Sequence, residues 1–174
     1  MDVIVSDIDG TVLDVNDRIA AVLREIGVEP TDTPGRVADQ LQRPLRARFY
    51  DTFLSEKYTG LDKPVTEVIA ALRDLQEKTG LPVVFLSGRP DNMRRSTRKA
   101  IDATGLSYAE IVLRPRSQRM RKTTEFKVEA LGCRDYRPQH IFDDDVEILA
   151  ALAAAFPDAT LHRVEGAQTT PWPD

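Results

Sequence analysis

The stretch "VIVSDIDGTVLD", Val3 to Asp14, decides how the rest of the chain is read. Four residues suited to a buried strand run into two aspartates one residue apart, and Gly-Thr follows. A turn needs one Asp at most. Two carboxylates at this spacing repel each other unless a cation lies between them or a reaction uses both. Gly10 and Thr11 let the backbone turn sharply straight after the acids.

Four more short β-branched runs follow: "PVVFLS" (82–87), "EIVLR" (110–114), "HIF" (140–142) and "TLHRV" (160–164). Helical patterns separate them. In "KPVTEVIAALRDLQEKTG" (63–80), Val65, Val68, Ile69, Leu72 and Leu75 fall on one face, Pro64 suits a first helical position and Gly80 a C′ position. Further helices are expected over 91–104, 123–131 and 144–156. Strand–helix alternation predicts an α/β fold, a Rossmann-like, mostly parallel sheet with helices on both faces and ligands at the carboxyl ends of its strands. Residues 14–62 break the rhythm and read as a small helical insertion after strand 1, a cap on a single domain spanning 1–174. The final "EGAQTTPWPD" (165–174) reads as an irregular tail.

Length and a hydrophobic content of 41% suffice for one cored domain. A single cysteine, Cys133, allows no internal disulfide and points to a reducing compartment. With no secretory pattern at the N-terminus and no apolar run long enough for a bilayer, a cytoplasmic protein without membrane contact is expected. Net charge is −4, but it is unevenly spread. Residues 89–127 hold eleven Lys/Arg against four Asp/Glu, a local +7, while the remainder nets −11. A basic third within an acidic chain suits a phosphate-bearing partner.

The polar signals all fall where strands end. Asp7 and Asp9 follow the first strand, Ser87-Gly88-Arg89 the second, and Asp143, Asp144 and Asp145 the strand "HIF"; Lys127 sits on a helix. Carboxylates gathered on one sheet edge need neutralising, and Mg²⁺ with its preference for oxygen ligands fits. A phosphate bound there would take further contacts from Lys127, Arg89 and Ser87. One aspartate could attack phosphorus while the other moves the proton. Lys122 competes with Lys127 for the lysine's role, and Asp145 also suits a helix N-terminus. His140 and His162 read as structural.

In this order "VIVSDIDGT", "VVFLSGR", a lysine before "VEALG" and "HIFDDD" resemble the four motifs of the haloacid dehalogenase superfamily of phosphotransferases, from residue 3 to about 150. The resemblance implies Asp7 as nucleophile, Asp9 as acid/base, and Lys127 holding phosphate against Asp7. Ser87 would bind phosphate. Mg²⁺ would lie between the Asp7 carboxylate, the Asp9 main-chain carbonyl and Asp144, with Asp143 beside it. Within that superfamily the chain is similar to the 3′-phosphatase domain of phage polynucleotide kinase/phosphatases. That likeness rests on Ser87-Gly88-Arg89, the helix bearing Thr97-Arg98-Lys99, the pair Arg121-Lys122 ahead of Lys127, Asp143-Asp144, and Arg18 nine residues after Asp9. It implies that Thr11, Arg18, Ser87, Gly88, Arg89, Arg121 and Lys122 line the substrate site. Thr123 stands where that family carries an acid, and the 14–62 insertion is longer than the family's. No G-x-x-x-x-G-K-[ST] stretch occurs in the 174 residues, so the resemblance implies a stand-alone phosphatase, with a separate kinase or ligase as its expected partner. Three functions fit: a Mg²⁺-dependent phosphatase of nucleic-acid 3′ ends, a phosphatase of nucleotides or sugar phosphates, and a non-catalytic phosphate- or partner-binding protein.

Overall fold

The computed structural model describes residues 1–173. Strand β1 (Asp2–Ser6) is apolar and β-branched on both faces, the pattern of a strand covered on each side. Around it form β4 (Val83–Pro90), β5 (Tyr108–Arg114), β6 (Arg137–Asp143), β7 (Thr160–Glu165) and β8 (Gln168–Trp172), in the order β5-β4-β1-β6-β7-β8. All pairs are parallel except β7–β8. The crossovers are α4 (Thr66–Thr79), α5 (Arg94–Asp102), α6 (Thr123–Gly132) and α7 (Val146–Ala155). This is the expected α/β sheet with helices on both faces.

Side-chain alternation along each strand divides the core. Ile4, Phe85 and Leu113 pack with Val68, Leu72 and Ile101 of α4 and α5. Val3, Val5, Leu86 and Ile141 pack on the opposite face with Phe126 and Leu131 of α6 and Leu149 and Leu152 of α7. Gly80 ends α4 at φ 70, as expected. Pro64, expected as a first helical residue, instead belongs to a strand: α4 starts two residues later, after Val65, which is extended at ψ 94 and whose N–H donates to the Val12 carbonyl.

Residues 14–62 fold as α1 (Asn16–Glu25), α2 (Pro34–Asp39) and α3 (Leu45–Phe53) around a cluster of their own that includes Val22, Leu23, Ile26, Ala38, Leu41 and Phe49. A short antiparallel stem, β2 (Leu13–Asp14) on β3 (Lys63–Pro64), closes the insertion at its root. Helix is interrupted between α2 and α3 at residues 40–44, where Pro44 disfavours helix at the residue before it.

The C-terminal tail corrects the sequence reading. It is not irregular: Gly166-Ala167 makes a two-residue turn, Glu165 pairs with Gln168, and Leu161 with Trp172. Gly166 takes φ 59, the positive value that Gly-X hairpin turns need at their first central position. Pro171 is tolerated because β8 lies at the sheet edge. Among the described residues no helix is long and apolar enough to cross a membrane.

Leu72, fully buried between α4 and the sheet, reports on this packing. Leu72→Ala should cost about 2–5 kcal/mol in denaturant unfolding. A loss near zero would mean that α4 does not seat as described.

Candidate active site

Strand order reverses at β1, with β4 on one side of it and β6 on the other. Such a reversal opens a crevice at the carboxyl ends of the strands. Asp7 emerges there, its N–H donating to the Phe142 carbonyl at 2.8 Å, which sets it beside Asp143 at the end of β6. The chain then turns within five residues: Leu13 N–H donates to Ile8 O at 2.9 Å, and Gly10 N–H to Leu13 O at 2.8 Å. Gly10 is required twice. Its φ is +83, and a Cβ there would lie 2.4 Å from Asp144 Oδ2.

Two charge assemblies fill the crevice. In the first, Lys127 Nζ donates to Asp7 Oδ1 at 2.5 Å and to Asp143 Oδ2 at 2.7 Å, all three side chains being buried. Asp7, Asp143 and Asp144 each bring a carboxylate oxygen within 4.8 Å of the others. Thr11 Oγ1 donates to Asp144 Oδ1 at 3.5 Å. Burial pushes the Asp7 carboxyl well above its usual range; Lys127 opposes this and Asp143 and Asp144 add to it. Asp144 is pushed up to about 7, by burial and then by Asp143. Burial works against the Lys127 ammonium, but Asp143 and Asp7 outweigh it and hold the lysine charged. Fully ionised, three carboxylates against one ammonium leave two negative charges. A divalent cation with oxygen ligands would cancel them, and the all-carboxylate donor set suits Mg²⁺.

The second assembly is a closed ring. Asp9 receives Arg18 Nη2 at 2.5 Å, Arg89 Nη2 at 2.5 Å, and Arg89 Nε at 3.0 Å to each oxygen. Asp62 closes it, 2.6 Å from Arg89 Nη2 and 3.1 Å from Arg18 Nε. Burial would raise the Asp9 carboxyl, but Arg89 and then Arg18 outweigh it and hold it below the usual carboxylate range.

The remaining residues singled out in the sequence fall as follows. Ser87 is buried and its Oγ accepts from Arg89 N–H at 3.2 Å. Gly88 leaves room for Arg114 Nη2, which a Cβ would meet at 3.0 Å. Arg18 and Arg89 are spent on carboxylates of the ring. The Asp9 side chain likewise lies in the ring and is not one of the three clustered carboxylates. Arg121 is 35% exposed and pairs with Glu125 and Glu129 on α6. Lys122 is exposed at the head of α6 and Lys127 buried between acids, which separates the two competing lysines. Asp145 caps α7, accepting from Glu147 N–H at 2.8 Å and Ile148 N–H at 3.3 Å. His140 and His162 contact each other at 3.2 Å on β6 and β7.

Sequence reasoning did not single out Asp62, which carries no motif. Charge balance was the available signal: two site arginines beside one free aspartate require a second acid once they are buried.

No family model and no curated protein matches the sequence. Solved structures do match in fold. A chain of the Pnkp1/Rnl/Hen1 complex superposes with TM-score 0.64 at 17% identity, over 94% of this chain and 45% of that one. A chain of the Pnkp1/Rnl/Hen1 RNA repair complex gives 0.61 at 19%, over 94% and 42%. A haloacid dehalogenase-like family hydrolase from Streptococcus pneumoniae gives 0.63 at 14%, over 91% and 82%. The present chain therefore has the haloacid dehalogenase-like fold, and it spans less than half the length of the two complex chains it matches.

The raised carboxyls fix a pH dependence. In metal-free protein, from the unfolded value of 3.8 upward, the folded state keeps protons that the unfolded state releases, until pH passes the raised values of Asp7 and Asp144, so stability falls as pH rises over that range. Solvent reaches Asp144 and screens its share, so Asp7 sets most of the slope. Asp9, held low, acts in a separate window below 3.8. His140 and His162, held neutral by burial, work the opposite way over the same range, so the trend is read as the difference between wild type and Asp7→Asn: in EDTA the wild-type urea midpoint should fall relative to the variant's from pH 4.5 to 7.5, and Mg²⁺ should flatten that difference. A wild-type midpoint that rises relative to the variant's with pH in EDTA would contradict this arrangement.

Proposed function

We propose that the chain is a Mg²⁺-dependent phosphomonoester hydrolase working through an aspartyl-phosphate on Asp7, with nucleic-acid 3′ ends as its substrate. One observation carries the reading: Asp7, Asp143 and Asp144 meet around Lys127 with two negative charges uncompensated, two residues from a second, separately held aspartate.

Asp7, Asp143 and Asp144, with the Asp9 main-chain oxygen, would hold Mg²⁺, which when bound neutralises phosphate oxygens. Lys127 fixes the Asp7 carboxylate and offsets charge as the phosphoryl group arrives. Ser87 Oγ supplies a donor to a phosphate oxygen. The free Asp7 oxygen attacks phosphorus and the ester P–O bond breaks; Asp9, which Arg18 and Arg89 keep ionised in the resting ring, first takes up a proton from solvent as substrate binds and then gives it to the leaving oxygen. Water then attacks the phosphorus of the aspartyl-phosphate and passes its proton to Asp9. Inorganic phosphate departs and the Asp7 carboxylate is restored.

The nucleic-acid substrate rests on two supports. The first is the fold shared with a chain of an RNA repair complex, which also motivates a separate kinase or ligase partner. The second is the basic third, though less of it is available than the sequence count suggests. Arg89, Arg114 and Lys127 are buried, and Arg121 is paired. Arg95, Arg98 and Lys99 on α5, with Arg116 and Lys122 beyond β5, remain exposed. One observation favours the small-molecule alternative: the insertion reaches across to the core, with Asp51 at 3.2 Å from Arg119 and Glu56 accepting from Ser96 N–H at 3.3 Å. Those contacts are what a specificity cap would make.

The test compares phosphate release from a 3′-phosphorylated oligonucleotide, its 5′-phosphorylated counterpart and a 3′-mononucleotide, with Mg²⁺ and with EDTA. The 3′-phosphorylated oligonucleotide should be preferred at low salt, with the preference fading as salt rises. EDTA or Asp7→Asn should abolish turnover. Preference for the mononucleotide would transfer the reading to the small-molecule phosphatase, and no release from any substrate would end it.

A further inference from the structure

The ring around Asp9 raises a question of charge. Arg18 and Arg89 have side chains 1% and 0% exposed, and a buried guanidinium costs several kcal/mol unless it is paired. Asp9 alone would leave one positive charge uncompensated. Asp62, 1% exposed, supplies the missing carboxylate and touches both arginines. Two acids and two arginines make the ring neutral.

The ring also joins two parts of the chain. Asp9 and Arg89 come from the sheet, and Thr97 of α5 accepts from Arg89 Nη1 at 3.2 Å. Arg18 and Asp62 belong to the insertion, as does Phe53, whose ring lies 4.2 Å from the Arg18 guanidinium carbon. Asp62 is the last residue before the β2–β3 stem, so its position follows that of the insertion's root.

Two negative charges remain in the neighbouring assembly of Asp7, Asp143, Asp144 and Lys127. Asp62 gives both arginines a second carboxylate to bind, and Asp9, held by the same two guanidiniums, keeps 21% of its side chain exposed.

We infer that Asp62 is a positioning residue for the proton-transfer step: through Arg18 and Arg89 it sets the Asp9 carboxyl, and so the insertion completes the acid/base machinery. This inference rests on the phosphatase reading. Asp62 touches neither phosphate nor metal ligands in this scheme. Its loss should therefore weaken proton delivery to the leaving oxygen and leave attack by Asp7 largely intact.

Leaving groups separate those effects. An alkoxide such as a ribose oxygen needs the proton, whereas p-nitrophenolate departs without it. In the full chain with Mg²⁺, Asp62→Asn should lower kcat/KM for a 3′-phosphorylated oligonucleotide by about 10²-fold, the low end of a general-acid contribution. For p-nitrophenyl phosphate it should lower kcat/KM by less than about threefold, since general-acid help is not required there. Thermal melting checks that the variant is folded. Asp62→Glu, which keeps the buried charge, serves if the Asn variant does not fold; it should show the same selectivity at smaller size. Equal losses on both substrates in the folded variant would make Asp62 merely structural and overturn the inference. Wild-type protein inert on both substrates would instead overturn the phosphatase reading and this inference with it.

Discussion

The Lys127 ammonium is the contact on which the crevice depends. It sits buried between Asp7 and Asp143, two carboxylates delivered by neighbouring parallel strands. Adjacent strand ends lie about 4.8 Å apart, so acids at the ends of β1 and β6 have to face each other. Without an internal cation their repulsion would oppose the β1–β6 pairing at its carboxyl end. The lysine cancels enough charge for the fold to close while leaving a deficit that a divalent cation can fill. Removing one partner from such a buried pair typically costs about 3–5 kcal/mol.

Beside this deliberately unbalanced group stands a balanced one. The neutral Asp9–Arg18–Asp62–Arg89 ring asks for no further ion, and its members are fixed from both the sheet and the insertion. The contrast suits a division of labour between two acids only two residues apart. Asp7, held by a single lysine and crowded by like charge, is poised to exchange partners. Asp9, held by two guanidiniums, keeps its place. On the proposed reading the first carboxylate changes its covalent partner and the second moves only a proton.

Much of this was legible in the sequence because it is local. Strand ends carrying Asp7, Ser87 and Asp143 are set by short apolar runs, and parallel topology brings those ends to one edge. The Gly10 turn and the Asp145 cap follow from backbone chemistry within a few residues. What was not legible depends on long-range charge balance. Asp62 lies in a segment without periodicity, and only the burial of Arg18 and Arg89 reveals why an acid is needed there. Arg121 illustrates the converse: motif position points to the substrate site, and the motif does not reveal that the residue pairs with Glu125 and Glu129 of α6. The β8 strand was hidden by Pro171 and by a turn whose signal, Gly166-Ala167, is short. The count of basic residues over 89–127 could not distinguish buried structural cations from exposed ones.

On the proposed reading Asp7 carries the phosphoryl group during turnover. Rapid acid quenching of the protein with an oligonucleotide carrying a labelled 3′-phosphate in Mg²⁺, followed by peptide mapping of the bound label, tests this. Label is expected on the peptide containing Asp7 during turnover. Phosphate release with label on another residue, or with no covalent label at any quench time, would rule out Asp7 as the nucleophile.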